Sequence, residues 1–181
     1  MSRFWLGCVV AAIAVLAAEF VYVRFGFVDP RADIGVNAVE KRVAMPALDA
    51  AVDRRAAKTK NPVLPTDEEL TAGMQLYEAN CSSCHGDIGR PEGMFARALY
   101  PRPPQFVKDA PDMTEDQNYF IIEHGVRLSG MPAWGGILSQ QQMWQLTTFL
   151  SHMNQLPPQV AVGWKRAAAG GNTGASSAPG G

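Results

Sequence analysis

The sequence predicts an all-α protein in which a single membrane-spanning helix precedes a globular domain. Two observations lead to this fold class. Residues 4–23 (FWLGCVVAAIAVLAAEFVYV) form an apolar run with one charge, Glu19. Further along, three helix-start patterns occur between residues 66 and 142, and no segment shows the apolar–polar alternation typical of a half-buried strand.

The apolar run at the N-terminus has the length of a membrane span. About twenty residues at ~1.5 Å each cross a hydrocarbon core of ~30 Å. Aromatic residues at both ends, among them Trp5 and Tyr22, match the aromatic belts of membrane interfaces. A cleaved signal peptide is the alternative. Because apolar and aromatic residues continue beyond Glu19, we expect residues 1–28 to anchor a single-pass protein of the cell inner membrane, with the rest in the periplasm.

Two extensions flank a predicted domain over residues 66–160. Residues 29–65 are predicted to be a periplasmic connector with a short helix that starts at Pro46 and carries Leu48 and Val52 on its apolar face. Residues 161–181 are rich in Ala, Gly and Ser, which bury little apolar surface. A disordered, low-complexity tail is therefore expected there.

The first helix of the domain is predicted from a capping pattern, in which Ser or Thr precedes Glu or Gln by three residues. Thr66 and Glu69 form this pattern and open a helix that should end near Asn80. Its apolar face is expected to consist of Leu70, Met74 and Tyr77.

Two further capping patterns predict the other helices of the domain. Thr114 opens the second helix, for which Gly125 is a suitable end. Ser139 opens the third, which is expected to continue until Pro157. Three modest helices joined by long Pro- and Gly-rich loops bury little apolar surface, so a large apolar prosthetic group would supply part of the core.

The stretch NCSSCHG places Cys81, Cys84 and His85 together. A zinc site would need further ligands, and the domain has no other Cys. A thiol–disulfide active site would need a strand before the motif, and a structural disulfide needs no adjacent histidine. C-x-x-C-H at the end of a helix is instead the attachment signature of c-type haem. The two thiols can form thioethers to the vinyl groups of one porphyrin, and the imidazole then lies beneath the iron.

Met131 is the favoured ligand for the other side of the iron. It follows His85 by 46 residues and lies in a loop between Gly130 and Pro132, where a thioether can point inward without helical constraints. His124 is the main rival, because bis-histidine haems exist. The remaining methionines of the domain are expected to pack in the core (Met74, Met143, Met153) or to lie in loops (Met94, Met113).

These stretches resemble a known family. CSSCHG, GMPAW and MWQLTTFL are similar to the class I cytochromes c of bacteria, particularly those related to the cytochrome subunits of haem-copper oxidases. The resemblance covers roughly residues 66–157 and implies a class I cytochrome c fold around one haem c, attached covalently to Cys81 and Cys84. It also implies His85 and Met131 as the axial, metal-binding ligands.

The resemblance extends to a helix crossing. Gly73 and Tyr77 match the family's glycine and aromatic residue on the first helix, where it crosses the last one, and Phe149 matches the aromatic residue of that last helix. The sequence also departs from the family. A single haem motif excludes the two-haem oxidase subunit, and the YPRPP loop and the charged connector are not part of the family's general pattern, so the subfamily stays open.

Charge and ligand set restrict the expected function. Residues 66–165 carry eleven acidic and six basic side chains, a net charge of −5, although the whole chain has a net charge of −1. Nucleic acid is therefore not an expected partner, and a charge-steered partner should present a basic face. An iron with both axial positions filled has no vacancy for a substrate, so we expect an electron-transfer protein without catalytic residues, and not an enzyme.

The expected partners are membrane-bound redox complexes, either a dehydrogenase or a terminal oxidase, between which the protein would carry single electrons. Three alternatives remain open at this point. The chain could be an electron-transfer subunit fixed in a multi-subunit oxidoreductase, a haem-based ligand-binding sensor, or a structural subunit whose haem only completes the core.

Overall fold

The computed structural model describes residues 2–27, 29–36 and 38–171. Within these ranges the chain forms seven helices and no strand, which confirms the all-α fold class. The chain divides after Arg31 into two compact units. The helices are α1 (Ser2–Arg24) in the first unit and, in the second, α2 (Ala38–Arg55), α3 (Asp67–Asn80), α4 (Ser82–His85), α5 (Glu115–His124), α6 (Gln140–His152) and α7 (Pro158–Gly171).

Helix α1 has the properties of the predicted anchor. Its segment Arg3–Arg24 is long and apolar enough to cross a membrane. Large apolar side chains along the helix are exposed, including Leu6, Leu16 and Phe20. An apolar surface of this extent is unusual on a soluble monomer and is suited to contact with lipid.

The predicted connector contains a longer helix than expected. Helix α2 begins eight residues before Pro46, so this proline lies inside the helix, where it removes one backbone donor. Of the predicted apolar face, Val52 is buried and Leu48 is half-buried, and Ala56 is buried as well. Helix α2 packs against α5, and this tertiary contact offsets the cost of the internal proline. Most of the connector is therefore part of the folded unit.

The core of the second unit lies where α3 crosses α6. The crossing is close at Gly73, where an added Cβ would lie 2.2 Å from the carbonyl oxygen of Gln145 and 2.8 Å from the Cβ of Phe149. Only glycine permits this approach. The predicted apolar face of α3 is confirmed, since all three of its residues are buried in the core with Phe149: Leu70, Met74 and Tyr77.

The predicted helix starts are confirmed at all three positions, with one difference. Ser139 and Thr114 each form a reciprocal capping box with the glutamine three residues on. Thr66 caps only in one direction, because its hydroxyl accepts from the backbone N–H of Glu69. The Glu69 carboxylate instead accepts a hydrogen bond from Gln145, at 2.7 Å. A contact with α6 has thus replaced the second hydrogen bond of the predicted capping box, the one from the N–H of Thr66 to the Glu69 carboxylate.

Helix α7 corrects two predictions. The last predicted helix ends at His152 and does not reach Pro157, and a new helix begins at Pro158, a residue type favoured at the first helical position. The disordered tail predicted from residue 161 is wrong for residues 161–171, while residues 172–181 lie outside the described part of the chain. The physical reason is an apolar stripe at four-residue spacing whose members are all buried: Val160, Trp164 and Ala168.

Candidate functional site

The cysteine motif occupies a single helical turn directly after α3. The backbone N–H groups of Cys84 and His85 both donate to the carbonyl oxygen of Cys81, at 3.0 and 2.9 Å. Residues three and four positions apart in a helical turn are neighbours on one side of it. Both thiols and the imidazole are therefore carried by neighbouring positions of one turn.

All three cysteines of the chain are free thiols. Cys81 is buried, and this burial raises the pKa of its thiol to about 12, so the thiol is protonated at neutral pH. Cys84 is partly exposed. Both thiols of the motif are therefore available to form other bonds.

His85 is a buried imidazole with one nitrogen engaged. Its Nδ1 lies 2.9 Å from the carbonyl oxygen of Pro104. Because a carbonyl can only accept a hydrogen bond, Nδ1 carries the proton and Nε2 keeps its lone pair. Burial lowers the pKa of His85, and the hydrogen bond to Pro104 partly opposes this shift. The ring is thus in the neutral form that binds a metal through Nε2, with its orientation fixed by the partner of Nδ1.

The loop from residue 92 to residue 106 wraps around the motif and fixes its backbone. The Gln105 amide donates to the carbonyl oxygen of Cys84 at 3.0 Å and accepts from the N–H of Gly93 at 2.7 Å. Phe106 donates its N–H to the carbonyl oxygen of His85, and its ring stacks on the imidazole with centroids 4.3 Å apart. Sequence reasoning missed Pro104, Gln105 and Phe106, because YPRPPQF carries no signal beyond that of a proline-rich loop.

The turn after His85 is supported from the other side by α3 and α7. Gly86 adopts a left-handed backbone conformation with φ of 82°. The buried hydroxyl of Tyr77 donates to the carbonyl oxygen of Gly86 at 2.6 Å. The indole of Trp164 packs edge-on against Tyr77, and an added Cβ on Gly89 would lie 3.1 Å from the carbonyl oxygen of Ala168. Helix α7 therefore helps to hold the motif, although its sequence gave no indication of this.

Met131 is partly buried in a loop that is attached to the end of α5. The carbonyl oxygen of Met131 accepts from the N–H of Val126 at 3.2 Å, and its own N–H donates to the hydroxyl of Ser129 at 3.1 Å. An added Cβ on Gly125 would lie 2.7 Å from the same carbonyl oxygen. The backbone of Met131 is therefore fixed, and its role as a ligand stays a prediction.

The rival ligands lie in less suitable surroundings. The side chain of His124 is more than half exposed and lies 3.5 Å from the carboxylate of Glu123. Met94 is exposed, whereas the three methionines predicted to pack in the core are buried there: Met74, Met143 and Met153. Among the described residues no group of three or more His, Cys, Asp or Glu side chains could hold a metal ion.

The family comparison covers this same region. Residues 68–150 match the family described as "Cytochrome C oxidase, cbb3-type, subunit III". The match includes the cysteine motif, Met131, the crossing of α3 with α6, and α5. Residues 68–150 are a class I c-type cytochrome domain. This cytochrome domain occupies somewhat less than half of the chain, and both α2 and α7 lie outside it.

A similarity among solved structures was also found. A chain of the reducing HAO-like protein complex of Kuenenia stuttgartiensis has 23% sequence identity and a TM-score of 0.43. The similarity covers 49% of this chain and 45% of that one, so this chain spans less than half of that neighbour. At this TM-score the similarity carries no argument about fold or function. No curated protein matches the chain.

A cytochrome domain of this class implies a haem cofactor, and the residues present suit one. Haem c requires two thiols at i and i+3 followed by an imidazole with a free nitrogen. Cys81 and Cys84 are free thiols on one helical turn, and Nε2 of His85 keeps its lone pair. The donor set of this helical turn therefore fits the prosthetic group.

Proposed function

We propose that the protein is a membrane-anchored one-electron carrier with a single covalent haem c. The observation that supports this most directly is the state of His85, which is a buried, neutral imidazole with Nδ1 held by Pro104 and Nε2 free. Two free thiols on the same helical turn complete the donor set. The haem iron supplies one-electron chemistry, cycling between the ferric and ferrous states.

Each residue of the site has a role in this proposal. Cys81 and Cys84 would hold the prosthetic group covalently through their sulfur atoms. Nε2 of His85 and the thioether of Met131 would be the protein's ligands to its iron. The residues of the domain would then need only to hold the group, exclude water, oxygen and substrates from it, and present a surface to redox partners.

The location follows from the same proposal. Helix α1 would cross the inner membrane, and the cytochrome domain would lie in the periplasm, since c-type cytochrome domains are usually extracytoplasmic. An anchored carrier has a raised effective concentration at membrane complexes. Its partners would be a membrane-bound dehydrogenase or terminal oxidase, and the description of the matching family as an oxidase subunit supports a version in which the chain is fixed in such a complex.

The test of the ligand set is the replacement Met131→Ala. We expect the variant to retain covalent haem, with a lower midpoint potential and rapid binding of carbon monoxide to the reduced protein, because the axial position opens. Met94→Ala is the matched control, since Met94 is an exposed loop methionine of the same domain. Wild-type protein that binds carbon monoxide rapidly at neutral pH would instead support the sensor alternative. If Met131→Ala leaves the midpoint potential unchanged, Met131 is not the ligand, and another residue, such as His124, binds the iron.

A further inference from the structure

The charges of the cytochrome region are strongly segregated along the chain. Residues 90–108 and 126–131 contain five of the six basic side chains counted between residues 66 and 165, and one of the eleven acidic ones, Glu92. The rest of the region has ten acidic side chains and a single base, Lys165. The two loops therefore carry a net charge of +4 and the rest of the region −9, and these two sum to the −5 of the whole region.

The two loops lie against each other and against the haem motif. An added Cβ on Gly130, the neighbour of Met131, would lie 2.7 Å from a terminal carbon of Leu99. The first loop also reaches the motif directly, because the N–H of Phe95 donates to the carbonyl oxygen of Ser83 at 3.0 Å. The first loop therefore contacts both the motif that carries His85 and the loop that carries Met131.

Large apolar side chains project from these loops into solvent. Leu128 is 90% exposed, Met94 60% and Phe95 46%. Leu128 also has a φ of 61°, a left-handed conformation that a branched side chain rarely adopts, and the hydroxyl of Ser129 holds this turn by donating to the carbonyl oxygen of Val126 at 2.7 Å. The backbone at Leu128 is therefore strained, and its apolar side chain is nevertheless exposed to solvent. Both features are typical of binding surfaces.

The basic side chains of the loops outnumber the acidic side chains that contact the loops. Asp87 lies 3.8 Å from Arg90, and Glu40 accepts a hydrogen bond from Tyr100. Glu92 accepts two hydrogen bonds from Arg97 and also lies 3.8 Å from Lys108. Arg102 and Arg127 are exposed and form no ion pair with the residues that the structure describes. The loops therefore present both basic and apolar side chains to solvent.

We propose that these two loops form a docking face for the acidic surface of a redox protein. The ligand-loop face consists of Met94, Phe95, Arg97, Arg102, Arg127 and Leu128. Electron transfer slows steeply with distance, so a partner gains most by docking where both ligand-bearing segments reach the surface. Transient redox contacts are small, and charge complementarity sets their association rate. This inference rests on the proposed function. The net charge of the domain led us to expect a partner with a basic face, whereas the two loops fit a partner with an acidic face.

The sign of the local charge can be measured with inorganic oxidants of opposite charge. Reduced full-length protein in phosphatidylcholine nanodiscs is mixed with hexacyanoferrate(III), an anion, or with tris(phenanthroline)cobalt(III), a cation. Each oxidant takes one electron from the haem iron and no proton moves. We expect the rate with the anion to fall at least about threefold between low and physiological ionic strength, while the rate with the cation rises. If the negative net charge of the chain or of the domain governed the reaction, the rate with the anion would rise with salt and the rate with the cation would fall.

Two double variants with the same change in net charge locate the effect. Arg97→Glu/Arg127→Glu should reverse both salt dependences, whereas Lys165→Glu/Arg166→Glu on α7 should keep those of the wild type. The proposal is overturned if the wild-type rate with the anion rises with salt, or if the α7 variant behaves like the loop variant. Failure of the proposed function itself would be visible separately, as a protein without covalent haem or without an absorbance change on oxidation.

An anionic membrane is the other surface that such a face could bind. Nanodiscs that contain phosphatidylglycerol distinguish it from a protein partner. If this lipid slows oxidation of the wild type by the anion but leaves Arg97→Glu/Arg127→Glu unaffected, the face is covered by lipid and the proposal is overturned. We expect equal rates in both kinds of nanodisc.

Discussion

The two sides of the haem motif are supported in different ways. On one side, residues 92–106 hold the motif through hydrogen bonds to its backbone, including those of Gln105 and Phe106. On the other side, α3, α6 and α7 pack aromatic rings against one another, with Trp164 in edge contact with both Tyr77 and Phe149. Polar contacts of this kind fix geometry at little gain in stability, whereas apolar packing supplies stability. The comparison predicts that redox properties and stability respond to different substitutions.

The largest effect on stability is expected at the helix crossing. Gly73→Ala forces a methyl group into the carbonyl of Gln145, at 2.2 Å, and should destabilise the domain by more than about 3 kcal/mol. Gly163→Ala in α7 is the matched control, because its Cβ would meet Met74 at an ordinary 3.8 Å. Thermal unfolding of the two haem-loaded variants measures the difference. Equal melting temperatures would show that the crossing can relax.

Loss of the indole on α7 should come next. Trp164→Ala removes a buried ring from contact with Tyr77 and Phe149, and we expect a loss of about 3 kcal/mol in the free energy of unfolding. Trp164→Phe keeps an aromatic ring and should recover most of this loss. Chemical denaturation followed by far-UV circular dichroism gives the values. We expect the midpoint potential of Trp164→Ala to change little. A shift as large as that of Met131→Ala would contradict the view that this side of the motif supplies stability and not redox properties.

A smaller effect on stability, with a larger effect on the site, is expected for Gln105→Ala. The substitution leaves the Gly93 N–H and the Cys84 carbonyl without their partner, which should cost about 1–2 kcal/mol. Because the same loop holds the imidazole of His85, the absorption spectrum and midpoint potential should also change. Gln75→Ala, at an exposed position of α3, serves as the control. Spectra identical to the wild type would mean that Pro104 alone positions the ring.

The smallest effect is expected from Glu78, on the aromatic side. Burial raises the pKa of this carboxyl above its ordinary 4.5, against the opposing hydrogen bond that the Trp164 indole donates to it. The folded state then binds the proton more tightly than the unfolded state, so this group's contribution is most favourable below pH 4.5 and is lost as pH rises through the raised pKa. Glu78→Gln should remove that loss and raise stability at pH 7 by less than about 1 kcal/mol.

The pH dependence of unfolding checks this assignment. The difference in unfolding free energy between Glu78→Gln and the wild type should grow from pH 4.5 upward and then level off. Glu68→Gln provides the comparison, because this exposed carboxyl has a lowered pKa and should change stability in the opposite direction. A difference that is constant with pH would show that Glu78 does not titrate differently in the folded state.

The sequence by itself determined the features that depend on neighbours within a few residues. C-x-x-C-H specifies its chemistry by spacing alone, and the capping residues Thr66, Thr114 and Ser139 begin helices because each contacts the first turn that it caps. The crossing at Gly73 was also within reach, through the family resemblance. These interactions are local or are set by one residue type.

Only the tertiary structure decided the partners that come from distant parts of the chain. Helix α7 looked like a tail because Ala and Gly dominate its composition, yet Val160 and Trp164 complete the core that three helices alone would leave small. Two other contacts also join residues that are distant in sequence. His85 donates a hydrogen bond to Pro104, and Gly130 contacts Leu99, which joins the two positive loops. The physical reason is that burial and hydrogen-bond partners are chosen by three-dimensional proximity, which composition and periodicity do not encode.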